Sequence, residues 1–143
     1  LGAPQLIYNG GLLHAPLRYF DAQRKRPGLP PDVSALVDRV ERECIRVTLV
    51  NGNTLESRKV TIQAGTLAEH RFTSITYDHL VSEYPSTVGS HAAPRLASET
   101  LSESIDATHF CVDLPPGTMI QLETGLERCV NPPSYNFPAE CRR

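Results

Sequence analysis

The sequence predicts an all-β fold: a two-sheet antiparallel β-sandwich with one short helix and one long ordered insertion. Two observations carry this prediction. Several short runs alternate polar and apolar residues, as strands with one buried face do, and turn-forming residues such as Asn51-Gly52 and Pro115-Pro116-Gly117 separate them. The clearest runs are 44–50, 58–63, 70–77, 108–114 and 118–123. The chain has 143 residues, enough for one domain with a real core, so we expect seven to nine strands in a single domain, 1–143.

The N-terminal segment predicts two short strands around Asn9-Gly10-Gly11, because Asn-Gly between apolar runs favours a hairpin. Pro16 lies inside the second run, which places that strand at a sheet edge or at a bulge. Residues 21–31 are charged and rich in proline, so they predict a loop.

Residues 32–40 predict the one helix. Val33, Leu36, Val37 and Val40 are spaced as on one helical face. Pro31 stands near the start of this segment, where a missing N–H costs little. The alternative is an extended segment that leads into the strand at Cys44.

The middle of the chain predicts an antiparallel meander of the runs 43–50, 58–63 and 70–77. Residues 79–106 interrupt it, being rich in Ser, Thr, Ala and Pro and long for a connection without structure. We expect this insertion to be ordered and to pack on its own domain or on a neighbour. The tail, residues 128–143, contains three prolines, and its Pro132-Pro133 and Pro138 favour an extended course.

Composition excludes some classes of function. The net charge of −2 and the pI of about 6.2 argue against nucleic-acid binding, which needs a basic face. No apolar stretch approaches the roughly 20 residues that span a bilayer, so we expect no membrane insertion. No signal peptide is visible, and the chain starts at Leu1, which indicates a processed protein or a fragment.

The four cysteines allow three pairings if all are bridged. A bridge between Cys129 and Cys141 would hold the end of the Pro-rich tail, and a bridge between Cys44 and Cys111 is the other candidate. Buried thiols are the alternative for Cys44 and Cys111, which lie in predicted strands. Disulfides favour an extracellular or cell-surface location.

Residues that could carry catalysis do not form a recognisable pattern. The histidines lack metal-site spacing, so we predict no metal and no cofactor. The best candidate for a functional polar cluster is Asp78, His79 and Glu83, with a surface loop as the alternative. A Cys111–His109 dyad is conceivable, but a buried thiol beside a histidine is the favoured interpretation.

Carbohydrate binding needs aromatic platforms, and this chain has no Trp and only 6% aromatic residues. The stacking candidates are Tyr19, Tyr84 and Tyr135. The alternative for the aromatic residues near both chain ends is that they hold those ends onto the core.

Two segments carry a resemblance to a known class of protein. They are 47–65, which contains Val47-Thr48-Leu49-Val50-Asn51 and Arg58-Lys59-Val60-Thr61-Ile62, and 114–135, which contains Leu114-Pro115-Pro116-Gly117-Thr118 and Asn131-Pro132-Pro133-Ser134-Tyr135. Over residues 43–137 the chain resembles the accessory β-sandwich modules at the C-terminal ends of large bacterial secreted or glycoside-hydrolase-like proteins. The resemblance implies support of a catalytic domain, glycan binding or assembly, and it supplies no catalytic residue.

Together these features predict a non-catalytic structural or interaction module, extracellular and part of a larger protein. Its partner would be another protein chain or domain, or a glycan. Three alternatives stay open: a carbohydrate-binding module, a self-assembling homo-oligomer that uses strand addition, and a small hydrolase or metal-dependent enzyme.

Overall fold

The computed structural model describes residues 15–83 and 95–139, with only the backbone of 79–83 and 95–98. These residues form nine strands. The strands are β1 (Leu17–Asp21), β2 (Arg26–Pro27), β3 (Val33–Val40), β4 (Cys44–Asn51), β5 (Arg58–Ala64), β6 (Arg71–Glu83), β7 (Arg95–Ala107), β8 (His109–Leu114) and β9 (Met119–Glu127).

The strands form two antiparallel sheets. The four-stranded sheet has the order β2-β1-β5-β8, and the five-stranded sheet has the order β3-β4-β9-β6-β7. Every pairing is antiparallel. The prediction of an all-β fold with two antiparallel sheets is therefore confirmed.

Alternation along the strands builds one shared core. On β4, Ile45, Val47 and Leu49 are fully buried, while the residues between them are partly exposed. The four-stranded sheet contributes Val60, Ile62 and Leu114 to the same cluster. The rings of Phe72 on β6 and Phe110 on β8 meet edge to face across the core, with centroids 4.8 Å apart.

The helix predicted over residues 32–40 is wrong, and the extended alternative is the one observed: residues Val33–Val40 form strand β3. It pairs with β4 from Val33↔Asn51 to Val40↔Ile45, and this ladder supplies the hydrogen bonds that a helix would have made internally. Asp32 has a φ of 64°, a left-handed conformation that does not lead into a helix. Leu36, a member of the supposed helical face, is 63% exposed. Pairing with β4 therefore decides the conformation of this segment, although its apolar residues also have helical spacing.

The insertion predicted at 79–106 is largely two strands. β6 continues to Glu83, and β7 begins at Arg95 and runs to Ala107, so most of this segment is a hairpin ladder. The residues between them, 84–94, lie outside the described part of the chain. The Ser- and Thr-rich residues of the segment lie largely on β7, whose side chains at 99–104 are exposed.

The N-terminal hairpin predicted around Asn9-Gly10 lies outside the described residues. Of its second run the structure shows β1, which begins directly after Pro16. The predicted loop 21–31 contains the short strand β2, which pairs with the end of β1 through Phe20↔Pro27 and Asp21↔Arg26.

Candidate functional site

A cleft opens between the sheets along their edge strands β7 and β8. The chain passes from β7 to β8 through the single residue Thr108, so both edges start from one corner. The cleft has a volume of about 690 Å³ and is lined on its apolar side by Ile75, Tyr77, Ile105, Phe110, Ile120 and Leu122. A volume of this size is typical of small-ligand pockets.

Polar groups surround the mouth of this cleft. Lys59 and Asp113 lie opposite each other on β5 and β8, with Nζ and Oδ1 3.9 Å apart. Glu103 contributes a carboxylate from β7. The mixture of signs gives the mouth no strong preference for an anion or a cation, so it does not define a ligand.

The C-terminal tail crosses the outer face of the four-stranded sheet. The ring of Phe137 meets the ring of Phe20 on β1 edge to face, with centroids 5.1 Å apart. Further along, Ala139 lies beside β8, where its carbonyl oxygen is 2.9 Å from His109 Nε2. Thr61 and Gln63, whose polar side chains would otherwise face water on β5, are 4% and 2% exposed.

The start of this tail is held at the end of the five-stranded sheet. The backbone N–H of Cys129 donates to Nδ1 of the buried His70, at 3.0 Å. A neutral imidazole that accepts at Nδ1 carries its proton on Nε2, which lies 3.7 Å from Glu69 Oε1. The Asn131 side chain donates to the carbonyl of His70. The sequence did not single out His70, because only the position of the returning tail makes it an anchor.

A second distinctive surface is the ribbon formed by β6 and β7. Strand β9 pairs with β6 only as far as Tyr77↔Leu122. The β6–β7 ladder continues beyond that point, from Asp78↔Thr100 to Glu83↔Arg95. This two-stranded extension, which we call the β6–β7 arm, continues past the last rung that β6 forms with β9.

The predicted stacking tyrosines do not share one surface among the described residues. Tyr19 packs against the core, and its burial raises the pKa of the phenol to about 12. Tyr135 lies on the tail and is 77% exposed. Tyr84 lies outside the described residues.

The predicted polar cluster falls on the β6–β7 arm. Asp78 accepts a hydrogen bond of 2.6 Å from Thr100 Oγ1 across the ladder. His79 and Glu83 lie further along the same strand, at the rungs His79↔Glu99 and Glu83↔Arg95, and their side chains lie outside the described part. The loop that was the alternative is instead a strand.

The candidate dyad lies on β8, beside the tail. His109 Nδ1 is 3.1 Å from Thr108 Oγ1 and Nε2 contacts Ala139, so both ring nitrogens have partners. Cys111 Sγ lies 3.3 Å from Thr61 Oγ1. The Cys111 side chain thus contacts the neighbouring strand β5, and the His109 side chain contacts the tail.

Neither of the two predicted cysteine bridges is observed. Cys44 and Cys129 have free thiols, so neither the Cys129–Cys141 bridge nor the Cys44–Cys111 bridge is formed. Cys44 faces Glu123, 3.4 Å away, and burial together with this carboxylate raises the pKa of its thiol. Cys129 is held at the end of β9 by His70, while the tail travels on across the other sheet. Cys141 lies outside the described residues.

In residues 15–83 and 95–139, no three His, Cys, Asp or Glu side chains are grouped so as to hold a metal ion. The same part of the chain contains no helix with the length and apolar character needed to cross a bilayer.

In comparisons with known proteins, the chain matches no family model, no curated protein and no solved structure.

The signal for the cleft was present in the sequence only in part. Ile75, Phe110 and Leu122 lie in three of the runs that alternation identified as strands with one buried face. Alternation could not show that they line an opening, because that depends on which strands end up at the sheet edges.

Proposed function

We propose that this chain is a non-catalytic β-sandwich interaction module that binds another protein chain through the β6–β7 arm. The observation that carries the proposal is the continuation of the β6–β7 ladder past Tyr77↔Leu122, the last rung that β6 forms with β9. A two-stranded ribbon is only marginally stable alone in water. A partner that adds a strand or covers a face would stabilise it.

The outer edge of β7 is the surface best suited to that partner. In the described part of the chain β7 pairs with β6 alone, so its other side presents backbone N–H and C=O groups. Such an edge is a template for an added strand. Backbone hydrogen bonds would supply affinity, and alternate side chains would supply specificity.

The side chains of β7 indicate the chemistry of the partner. Glu99, Leu101 and Glu103 follow one another at every second position, all three exposed, so one face alternates acidic and apolar groups. A second copy of β7 would bring like charges together. An extended segment that alternates basic and apolar residues is complementary in both charge and hydrophobicity.

The wider setting is part of the same proposal. As an accessory module of a larger secreted protein, the chain would act outside the cell, as the resemblance over residues 43–137 implies. Its work would be to bind and position a neighbouring chain.

The test uses a fluorescein-labelled peptide of alternating lysine and valine, with a glutamate–valine peptide as the control ligand. We expect saturable binding of the lysine peptide in fluorescence anisotropy, weaker at high salt. The variant Glu99→Gln/Glu103→Gln should weaken this binding by about tenfold or more, for loss of two favourable charge contacts.

A matched variant separates a specific edge from general acidity. Glu41→Gln/Glu43→Gln makes the same change of charge near the β3–β4 turn, at the opposite edge of the sheet, and should bind as the parent does. Equal loss in both variants, or no saturable binding, would contradict the proposal. Light scattering that shows a dimer of the free chain would favour self-assembly instead.

A further inference from the structure

Two histidines contact the C-terminal tail, and their hydrogen bonds run in opposite directions. At the start of the tail, the backbone N–H of Cys129 donates to Nδ1 of His70, at 3.0 Å. Further along, Nε2 of His109 lies 2.9 Å from the carbonyl oxygen of Ala139. A carbonyl oxygen only accepts, so His109 is the donor in this contact, whereas His70 is an acceptor.

The two contacts must therefore respond differently to acid. The neutral ring of His70 already carries its proton on Nε2, so a second proton goes to Nδ1 and removes the lone pair that accepts from Cys129. His109 keeps its donor at Nε2 when a second proton goes to Nδ1, where the hydroxyl of Thr108 can accept it. Acid breaks the first contact and leaves the second in place.

The position of His70 makes the loss of its contact consequential. Its side chain is 1% exposed, so water does not readily replace the lost acceptor. A protonated Nδ1 would point its N–H at the N–H of Cys129, and the ring and the tail could not both keep their positions. Cys129 is exposed and has a φ of 55°, a left-handed conformation that is unfavourable for this residue type. The tail is therefore the part that moves.

A carboxylate beside the ring favours the protonated state. Glu69 Oε1 lies 3.7 Å from His70 Nε2, and a negative charge at this distance stabilises an imidazolium. The other oxygen of Glu69 accepts from the backbone N–H of Leu67, at 2.7 Å, which fixes the carboxylate in place. Protonation of His70 thus strengthens its contact with Glu69 on one side of the ring as it ends the contact with Cys129 on the other.

The charged side chains next to this site are directed at other partners. Arg71, which follows His70 on β6, lies 3.3 Å from Asp106. Glu127 stands opposite Arg71 on β9 and is exposed. Arg128, which precedes Cys129, donates to two backbone carbonyls of the β3–β4 turn. Within the described part of the chain, Glu69 is thus the charged group that an ion-pair contact joins to the His70 ring.

We propose that His70 is a pH-sensitive latch that holds the start of the C-terminal tail in neutral solution and releases it in mildly acidic solution. Histidine in an unfolded chain takes up its second proton near about pH 6.5. The contact with Cys129 is complete well above that pH and is lost as the pH falls, because only the neutral ring accepts. Phe137 of the same tail covers Phe20, so a loosened tail would expose more of the outer face of the four-stranded sheet.

Amide hydrogen exchange of the full chain, followed by NMR between about pH 7.5 and 5, tests the latch. Each rate is divided by the intrinsic rate at the same pH. We expect protection of the Cys129 amide to fall by about tenfold or more, for loss of one hydrogen bond to a buried group, with the same midpoint as the His70 ring signals. The Leu126 amide, bonded to the Glu43 carbonyl at 2.9 Å, is the internal control and should keep its protection.

Three results of this measurement would overturn the proposal. One is constant protection of Cys129 while the His70 ring takes up its proton. Another is a His70 ring that stays neutral down to about pH 5. The third is an equal fall at Leu126, which would assign the effect to the whole sheet.

Variants identify the group that titrates. His70→Gln offers an amide oxygen that accepts from Cys129 but takes up no proton, so protection of that amide should no longer depend on pH. His109→Gln makes the same change at the other histidine and should keep the pH response of the parent. Glu69→Gln retains His70 and removes the neighbouring charge, so the midpoint should move to lower pH. A response that persists in His70→Gln, or a midpoint unchanged in Glu69→Gln, would contradict the latch.

Discussion

The side-chain amide nitrogen of Asn51 lies 3.1 Å from the backbone carbonyl oxygen of Leu114. Asn51 ends β4 in the five-stranded sheet, and Leu114 ends β8 in the four-stranded sheet. The same amide nitrogen also lies near the backbone carbonyl oxygens of Glu56 and Pro115. The side-chain oxygen of Asn51, Oδ1, accepts a hydrogen bond from the backbone N–H of Asn53. One buried side chain thus ties both sheets to the turns at one end of the fold.

Replacement of Asn51 by Ala is expected to destabilise the protein strongly. The change removes the amide group that donates hydrogen bonds to at least two backbone carbonyls. Asn51 is only 1% exposed, so water does not readily replace the lost donor. We expect a loss of about 2–3 kcal/mol in the free energy of unfolding, measured by urea denaturation. Asn136→Ala, on the exposed tail, should change it by less than about 0.5 kcal/mol. An equal effect of the two changes would contradict the assigned role of Asn51.

Replacement of Gly125 by Ala is expected to disturb the pairing of β9 with β6. A Cβ at this position would lie 2.5 Å from both Ser74 Oγ and Thr73 Oγ1, at the β-bulge of β6. Because both hydroxyls would have to move, we expect a loss of about 1–3 kcal/mol in chemical denaturation.

A background variant tests this mechanism for Gly125. In a protein that carries Thr73→Ala/Ser74→Ala, both obstructing hydroxyls are absent. The same Gly125→Ala change should then cost clearly less. An undiminished cost would assign the effect to the backbone preferences of the strand instead.

Stability at alkaline pH should depend on Tyr19. Burial raises the pKa of its phenol from 10.0 to about 12. Below pH 10 the phenol is neutral in the folded and unfolded chain, so its burial contributes in full. Between pH 10 and 12 the unfolded chain releases the proton first, and this contribution falls as pH rises.

The variant Tyr19→Phe isolates that contribution. It has no proton to release, so its stability should fall less steeply between pH 10 and 12 than that of the parent. Urea denaturation at a series of pH values measures both slopes. Tyr135→Phe changes an exposed ring and should keep the parent slope. Parallel curves for the parent and Tyr19→Phe would show that the phenol does not contribute.

Packing of the tail should depend on Phe137 and not on Tyr135. Phe137 is 44% exposed and meets Phe20, whereas Tyr135 is 77% exposed. We expect Phe137→Ala to destabilise by about 1–2 kcal/mol and Tyr135→Ala by less than about 0.5 kcal/mol, since only the first loses an aromatic contact. Limited proteolysis of the tail gives an independent readout, and faster cleavage of the Tyr135 variant would reverse the assignment.

The sequence by itself determined where most strands of the core lie. Alternation on β4, β5, β8 and β9 is a local property, because successive side chains on any strand face opposite sides. The same kind of local evidence was misleading for Val33–Val40, where helical spacing and strand pairing were both compatible with the residues. The ladder with β4 decided between them.

Only the tertiary structure decided which strands became edges and where the tail went. The β7 edge, the cleft at Phe110 and the contact between His109 and Ala139 all join residues far apart in the chain. Local patterning cannot report such contacts, because strand order and the closing of long loops depend on the packing of the whole chain. Alternation therefore predicted many of the strand residues at the candidate site, but it could not predict how those strands are arranged around it.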